Sequence, residues 1–304
     1  MTTQANKQLS IIIPCQGRID LLSVCLQHLR RHAPSHAEII VVDDASPEAS
    51  VSRLVQAFPG VHVIRNPRRL GFCQAVNRGL AAAQGQIVAL LNDDTEIQPS
   101  WAEAALAPFT RPEVAAVASL VLVWPRGDRI DSAGDLYHPA GWARKRGHGQ
   151  KLHARYLQAG PVGSACACSA FYRRAQLLEI GGFPADFGAY FDDVEVGLRL
   201  RRSGYQIWYE PASRVLHHGS ASYGRKPTPA LLMQQSRNEE LLFWRHLHWR
   251  ESYRRLPEHA ALLCGKAWLR WQEGQLRPFL MGRLQAWAEW PIWRRKAAPA
   301  VLPT

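Results

Sequence analysis

The chain has no long apolar run: its best, Val114 to Trp124, is too short for a bilayer, which takes about 20 residues of helix. Its opening, MTTQANKQLS, is polar and holds no apolar core of a secretory signal, so the expectation is a protein that stays on the cytoplasmic side. None of the six cysteines (Cys15, Cys25, Cys73, Cys166, Cys168, Cys264) stands at C-x-x-C spacing, which argues against structural zinc. Cys166 and Cys168 alternate with small residues in SACACSAF and read as reduced, packed thiols on a strand. Also missing are G-x-G-x-x-G after the first strand, where PCQGRID stands instead, and any G-x-x-x-x-G-K-[ST]. A nucleotide must therefore be held without a glycine-rich phosphate loop. Acids are the scarcer charge, 25 against 37 Lys plus Arg, for a net charge of +12. With 47% hydrophobic and 20% charged residues over 304 positions, the composition is globular rather than disordered.

What is present is an alternation of strand and helix. LSIIIP reads as a buried strand stopped by Pro14, and a helix follows from Asp20 with Leu21, Leu22, Val24, Cys25, Leu26 and Leu29 on one face. EIIVVDD, VHVIRN and QIVALLNDD are further strands, separated by helices over Pro47–Phe58 and Gly71–Gln84. Strands apolar throughout and spaced by helices imply an α/β fold with a mostly parallel sheet covered on both faces. In such sheets a ligand sits beyond the carboxyl ends of the strands. The residues there are Pro14 to Arg18, Asp43 and Asp44, Arg65 to Arg69, and Asn92 to Asp94.

Asp93 and Asp94 in LLNDDTE would repel a diphosphate unless a hard divalent cation lay between them, taking oxygen ligands from both. The same doublet would also serve as a loop before the helix WAEAALAPF. His217 and His218 in HHGSAS follow QIWYEPASRVL, which reads as a strand; imidazole could complete the coordination of Mn²⁺, less readily Mg²⁺. YFDDVEVGLRLRRSGY gathers Asp192, Asp193 and Glu195 before an apolar-periodic run, where acids suit a helix start and Asp192 with Glu195 resembles a capping box.

In order, LSIIIPCQGR, EIIVVDDAS, VIRNPRRLGFCQAVNRGL, LLNDDTEIQP, GSACACSAFYRR, IGGFPADFGAYFDDVEVGLRLRRSGY and VLHHGSAS resemble the inverting nucleotide-sugar glycosyltransferases of family 2, especially rhamnosyltransferase-like and galactofuranosyltransferase-like members. The resemblance covers roughly residues 9 to 223 and implies a GT-A fold. It implies that Asp43 or Asp44 contacts the nucleobase beside the Pro14 to Arg18 turn, and that Arg68, Asn77, Asn92 and Asp93 belong to the nucleotide-sugar site. Asp94 and His217 would hold the divalent cation, Mn²⁺ or Mg²⁺. Asn92 departs from the family, standing where many relatives have the first Asp of D-x-D. In FDDVEVGLRL, Asp193 matches the catalytic base, expected to be only partly buried, and Asp192 an acceptor-binding or helix-capping group. The implied reaction moves a sugar, with inversion, from a nucleoside-diphosphate donor to a hydroxyl of a glycan or lipid-linked acceptor in bacterial cell-envelope synthesis. Alternatives are a metal-dependent phosphohydrolase of nucleotide sugars and a basic nucleic-acid-binding protein, although no nucleic-acid motif accompanies the charge.

The remainder divides the chain into residues 1–223, catalytic, and residues 224–304, a basic Trp-rich helical extension. Residues 225–304 carry 14 Lys plus Arg against 6 Asp plus Glu, and seven of the 11 tryptophans: Trp244, Trp249, Trp268, Trp271, Trp287, Trp290 and Trp293. Apolar and basic residues at helical spacing suit either a membrane interface or packing within a helical subdomain. Residues 124–160 read as a mobile loop on the acceptor side, and Trp142 within it is a candidate acceptor-binding residue.

Overall fold

The apolar runs form the expected strands. In this computed structural model, which describes residues 8–47, 50–219, 227–247, 250 and 252–296, β1 (Leu9–Cys15), β2 (Glu38–Asp43) and β4 (Ile87–Leu91) are buried almost throughout. β3 (Val61–Arg65) ends the sheet and is half exposed, which is why it tolerates His62 and Arg65. Between them run α1 (Ile19–His32), α2 (Ser50–Val55) and α3 (Phe72–Ala82). Leu22, Cys25, Leu26 and Leu29 of α1 lie on one helical face and pack on Ile11 and Ile13 of β1. β1 pairs in parallel with β2 and β4, and β2 with β3.

The second half of the sheet is mixed. After β5 (Thr95–Ile97) and α4 (Trp101–Leu106), the run Val114 to Val123 becomes β6, a ten-residue strand buried except at its end. β7 (Ile130–Ser132), β8 (Asp135–His138), β9 (Trp142–Lys145) and β10 (Gly160–Pro161) are short. They are followed by β11 (Ser169–Arg173), α5 (Arg174–Glu179), α6 (Asp192–Arg202) and β12 (Gln206–His217). The sheet order is β10-β12-β6-β11-β4-β1-β2-β3, with β5 also on β12 and β7 on β6; β8 and β9 form a separate ribbon. This is the GT-A arrangement of a mixed, mostly parallel sheet flanked by helices.

Three local expectations change. Residues 124–160 are not one loop but hold β7 to β9, strands of three or four residues punctuated by glycines with positive φ such as Gly134 and Gly141. Cys166 and Cys168 lie in the turn before β11 rather than on the strand; both are buried free thiols. The capping box at α6 is absent, since Phe191 is the residue before the helix and its side chain makes no capping bond.

The chain separates into one unit of Met1–Leu136 with Lys145–Tyr223 and a second of Tyr137–Arg144 with Gly224–Thr304. The proposed boundary at 223/224 lies outside the described residues, as do the side chains of Trp249, Trp290 and Trp293. The second unit contains α7 (Pro229–His246), α8 (Ser252–Gln272) and α9 (Leu276–Lys296). Thr228 caps α7 by accepting from the Leu231 amide, with Pro229 at the first helical position. Among the described residues no helix is long and apolar enough to cross a membrane.

Candidate active site

The site is assembled where β4 ends. The Asp93–Asp94 turn leads into β5, which pairs antiparallel with the last residues of β12 in the register His217↔Thr95, Leu216↔Glu96 and Val215↔Ile97. The His218 amide closes this pairing by donating to the Asp94 carbonyl at 2.9 Å. A three-residue strand thus delivers an aspartate and a histidine, 123 positions apart in sequence, to one place: His217 Nε2 lies 3.3 Å from Asp94 Oδ1.

Arg18 reaches the same rim from the turn after β1. Gly17, at φ +72°, allows that turn, and its amide donates to Ser46 Oγ at 2.8 Å. Arg18 Nη2 meets Asp93 Oδ1 at 2.5 Å and Nη1 meets Asp94 Oδ2 at 2.8 Å. The two buried aspartates respond differently. Burial pushes Asp93 above the usual carboxylate range, the Asp94 charge adds to this, and Arg18 only partly offsets it. Burial also acts on Asp94, but His217 and Arg18 outweigh it and bring Asp94 down to about 2.

His217 is oriented from behind. Its Nδ1 contacts Asp131 Oδ2 at 2.8 Å, while Lys145 Nζ, at 3.1 Å, and His148 Nδ1, at 3.2 Å, hold Asp131 Oδ1. Burial opposes the ionised form of Asp131, yet His148, His217 and Lys145 together hold it well below the ordinary carboxylate range. Burial likewise opposes a charge on His217, but Cys168, Asp131 and Asp94 raise its pKa well above that of a free histidine.

A divalent cation fits these residues. Asp94 Oδ1 is buried and has no hydrogen-bond partner, and it faces an imidazole nitrogen. A Cβ built on Gly219 would come within 2.4 Å of Asp94 Oδ2 and 2.7 Å of His217 Nε2, so the bare backbone leaves that space open. Among the described residues no group of three or more His, Cys, Asp or Glu side chains is disposed to hold a metal. Two protein donors therefore leave the rest of the coordination to water and an anionic ligand, as is usual for Mg²⁺ with phosphates.

Across the segment 165–169 lies the second acidic group. The Asn92 amide donates to the Cys168 carbonyl at 3.0 Å, and the Ala167 amide donates to Asp193 Oδ2 at 3.2 Å, so one short stretch of chain bonds Asp193 and the residue that precedes Asp93. Asp193 is half-buried at the start of α6, where the Val194 amide also donates to its Oδ1 at 2.9 Å. Burial raises the Asp193 pKa, opposed by those amides and by Lys145. Asp192 and Asp135 are raised further, by burial and by the Asp193 charge, and Asp192 Oδ2 has no hydrogen-bond partner. Of the three, Asp193 is the one whose carboxylate accepts two backbone amides, which favours its ionised form. Glu195 is spent on Arg199, at 2.6 Å one helical turn on.

Most of the remaining sequence candidates stand on the same rim of the sheet, where Cys15 is in register with Asp43 and Asp43 with Arg65. Asp43 is fully buried and bound to Arg65 and to the Ser46 amide at 2.8 Å. Asp44 accepts from the Leu70 and Gly71 amides and from Asn66, at 2.7 to 2.9 Å, and so shapes the loop before α3. Asn77 clips the Phe183 backbone with both ends of its amide, each at 2.8 Å. Pro14 and Asn92 are half-buried at the strand ends, and Arg68 is exposed. Trp142 belongs to the second unit, stacked on His138 with ring centres 5.4 Å apart. Asp131, Lys145 and His148 went unmarked in the sequence, because their elements are too short to carry a hydrophobic period.

Residues 10–181 match the model of "Glycosyl transferase family 2". The chain is 28% identical to O-antigen biosynthesis protein RfbC of Myxococcus xanthus over 72% of its own length and 18% of that protein's. It is 27% identical to N-acetylglucosaminyl-diphospho-decaprenol L-rhamnosyltransferase of Mycobacterium tuberculosis, over 69% of this chain and 76% of that one. The chain spans a quarter or less of the length of the first two curated relatives it matches. Its backbone superposes on mannosyltransferase PcManGT from Pyrobaculum calidifontis, in complex with GDP-Man and Mn²⁺, with a TM-score of 0.59 at 18% identity, covering 98% of this chain and 82% of that one.

Proposed function

The chain belongs to glycosyl transferase family 2, and from that premise we propose that it transfers a sugar, with inversion, from a nucleoside-diphosphate donor to a hydroxyl of a glycan or lipid-linked acceptor of the bacterial cell envelope. The observation that carries this reading is the facing pair Asp94 Oδ1 and His217 Nε2 beside Arg18, with Asp193 bonded to the Ala167 amide, next to the Cys168 carbonyl that accepts from Asn92. A divalent cation held by Asp94 and His217 would supply charge neutralisation for the departing diphosphate. Arg18 and the exposed Arg68 stand at the same strand ends and add positive charge there. Asp93, paired with Arg18, would contact the donor sugar or ribose. Asp193 accepts the proton of the attacking hydroxyl. Its two backbone donors fix the carboxylate without consuming its charge, and the start of α6 favours the anion. Asp192, next in sequence to the base, would assist binding of the acceptor.

The described residues of the second unit support contact with an anionic membrane surface. Trp268, Leu269, Trp271, Leu284 and Trp287 are exposed on α8 and α9, with Arg254 and Arg277 among them.

A panel of nucleotide sugars, screened for thermal stabilisation with Mn²⁺ and again with a chelator, tests the donor reading. One or a few donors should raise the midpoint with metal only, and the winning donor should then be consumed on adding an acceptor. No donor-dependent shift from any member of the panel would sink it, and donor consumption by water alone would make the protein a phosphohydrolase.

A further inference from the structure

Asp131 is a buried carboxylate on a three-residue strand, with a relative exposure of 3%. Taking an ion out of water costs several kcal/mol, and a pair of apolar side chains would hold β7 to β6 as well. What the carboxylate does that an apolar group cannot is fix a ring. Its Oδ2 takes the Nδ1 side of His217 at 2.8 Å, which directs Nε2 at Asp94 Oδ1, 3.3 Å away. Asp131 is itself held, by Lys145 Nζ at 3.1 and 3.2 Å and by the His148 ring, which also contacts the Asp131 carbonyl at 2.8 Å. Asp94 Oδ1, at the far end of this relay, is a buried oxygen without a hydrogen bond. A histidine that donates one ring N–H to a carboxylate has its tautomer and orientation set, and its other nitrogen is the better metal ligand for it.

We propose that Asp131 is the positioning residue of the cation site: it holds His217 through Nδ1–H with Nε2 turned to Asp94, where a bound cation would take the place of the Nε2 proton, and Lys145 and His148 keep Asp131 in place. This rests on the donor-site reading above. It assigns a role to the segment between β6 and β9 that is independent of any contact with substrate.

The test titrates Mn²⁺ alone into the full chain and reads the free ion by electron paramagnetic resonance, for the wild type, Asp131→Asn and Asp94→Asn. Asp131→Asn should weaken Mn²⁺ binding by about 10- to 100-fold with a thermal midpoint close to wild type, whereas a merely structural role would move the midpoint and not the affinity per folded molecule. Equal affinity in a folded Asp131→Asn protein overturns the assignment. Should that variant fail to fold, nitrogen-15 resonances of labelled histidine in the Mg²⁺-loaded wild type decide, with His217→Gln giving the assignment: Nδ1 protonated and Nε2 bare is expected, and the opposite tautomer refutes it. A wild type that binds no Mn²⁺, with or without a nucleoside diphosphate, removes the donor reading itself, while Mn²⁺ bound equally by wild type and Asp131→Asn removes only the role of Asp131.

Discussion

At the scale of single residues, Asp193 carries the clearest expectation. Asp193→Asn keeps the shape and one acceptor for the Ala167 and Val194 amides but cannot take a proton. Turnover should fall by about 10² to 10⁴ with donor affinity unchanged, read as kcat against a calorimetric Kd; equal turnover would remove the assignment. Because its folded pKa is raised, the base is lost on acidification sooner than an ordinary Asp. The acid limb of kcat/KM should therefore fall above about pH 3.9. Gly219→Ala offers a second probe: its Cβ would crowd Asp94 and His217 together, so Mn²⁺-dependent donor binding should weaken while metal-free binding stays the same. In the sequence Asp94 and His217 stood out as polar groups at strand ends, whereas Asp193, at the start of a helix, was marked as the base only by the resemblance to family 2. The sequence could not show which polar atoms were already spent, and Asp44 and Asn77 bind backbone groups of loops that no local pattern reveals.

At the scale of elements, long apolar strands were legible and short ones were not. β1, β2, β4 and β6 are apolar because both faces are covered. β5 and β7, three residues each, are defined only by partners far along the chain, yet they position Asp94 and Asp131. The acids opening α6 suggested a capping box, but Phe191 enters the helix at φ +61°, Glu195 pairs with Arg199 one turn on, and Asp193 accepts from the Ala167 amide instead. Helix packing in the second unit makes its own predictions. A Cβ at Gly282 of α9 would lie 2.3 Å from the Met233 carbonyl of α7, so Gly282→Ala should push the helices apart at a cost of about 1–3 kcal/mol, seen in denaturant unfolding. Burial works against the Glu240 carboxylate of α7, but His259, Arg283 and Trp287 lower its pKa from 4.5 to about 2. A depressed folded pKa gives stability that is full above pH 4.5 and lost as pH falls towards 2. The thermal midpoint of Glu240→Gln should be lower at neutral pH and should change less than that of wild type across this window.

At the scale of the whole molecule, the +12 charge and the distribution of tryptophan separate two kinds of surface. Exposed Trp268 and Trp271 on α8 should each contribute about 1.5 kcal/mol of membrane binding. Trp268→Ser and Trp271→Ser should thus each lower partition onto anionic vesicles by about tenfold, measured by co-sedimentation, and binding of the full chain should weaken in salt. Equal partition of wild type and the double variant would leave membrane contact unsupported. The place of β12 has a consequence for biosynthesis. This strand lies between β10 and β6 in the sheet, yet it comes last of the three in sequence. A nascent chain emerging from the ribosome therefore exposes the apolar flank of β6 until residue 217 is free. At roughly 5–20 residues per second, that interval is about 5 to 19 seconds, during which an open strand edge invites self-association and Asp94 waits for its histidine.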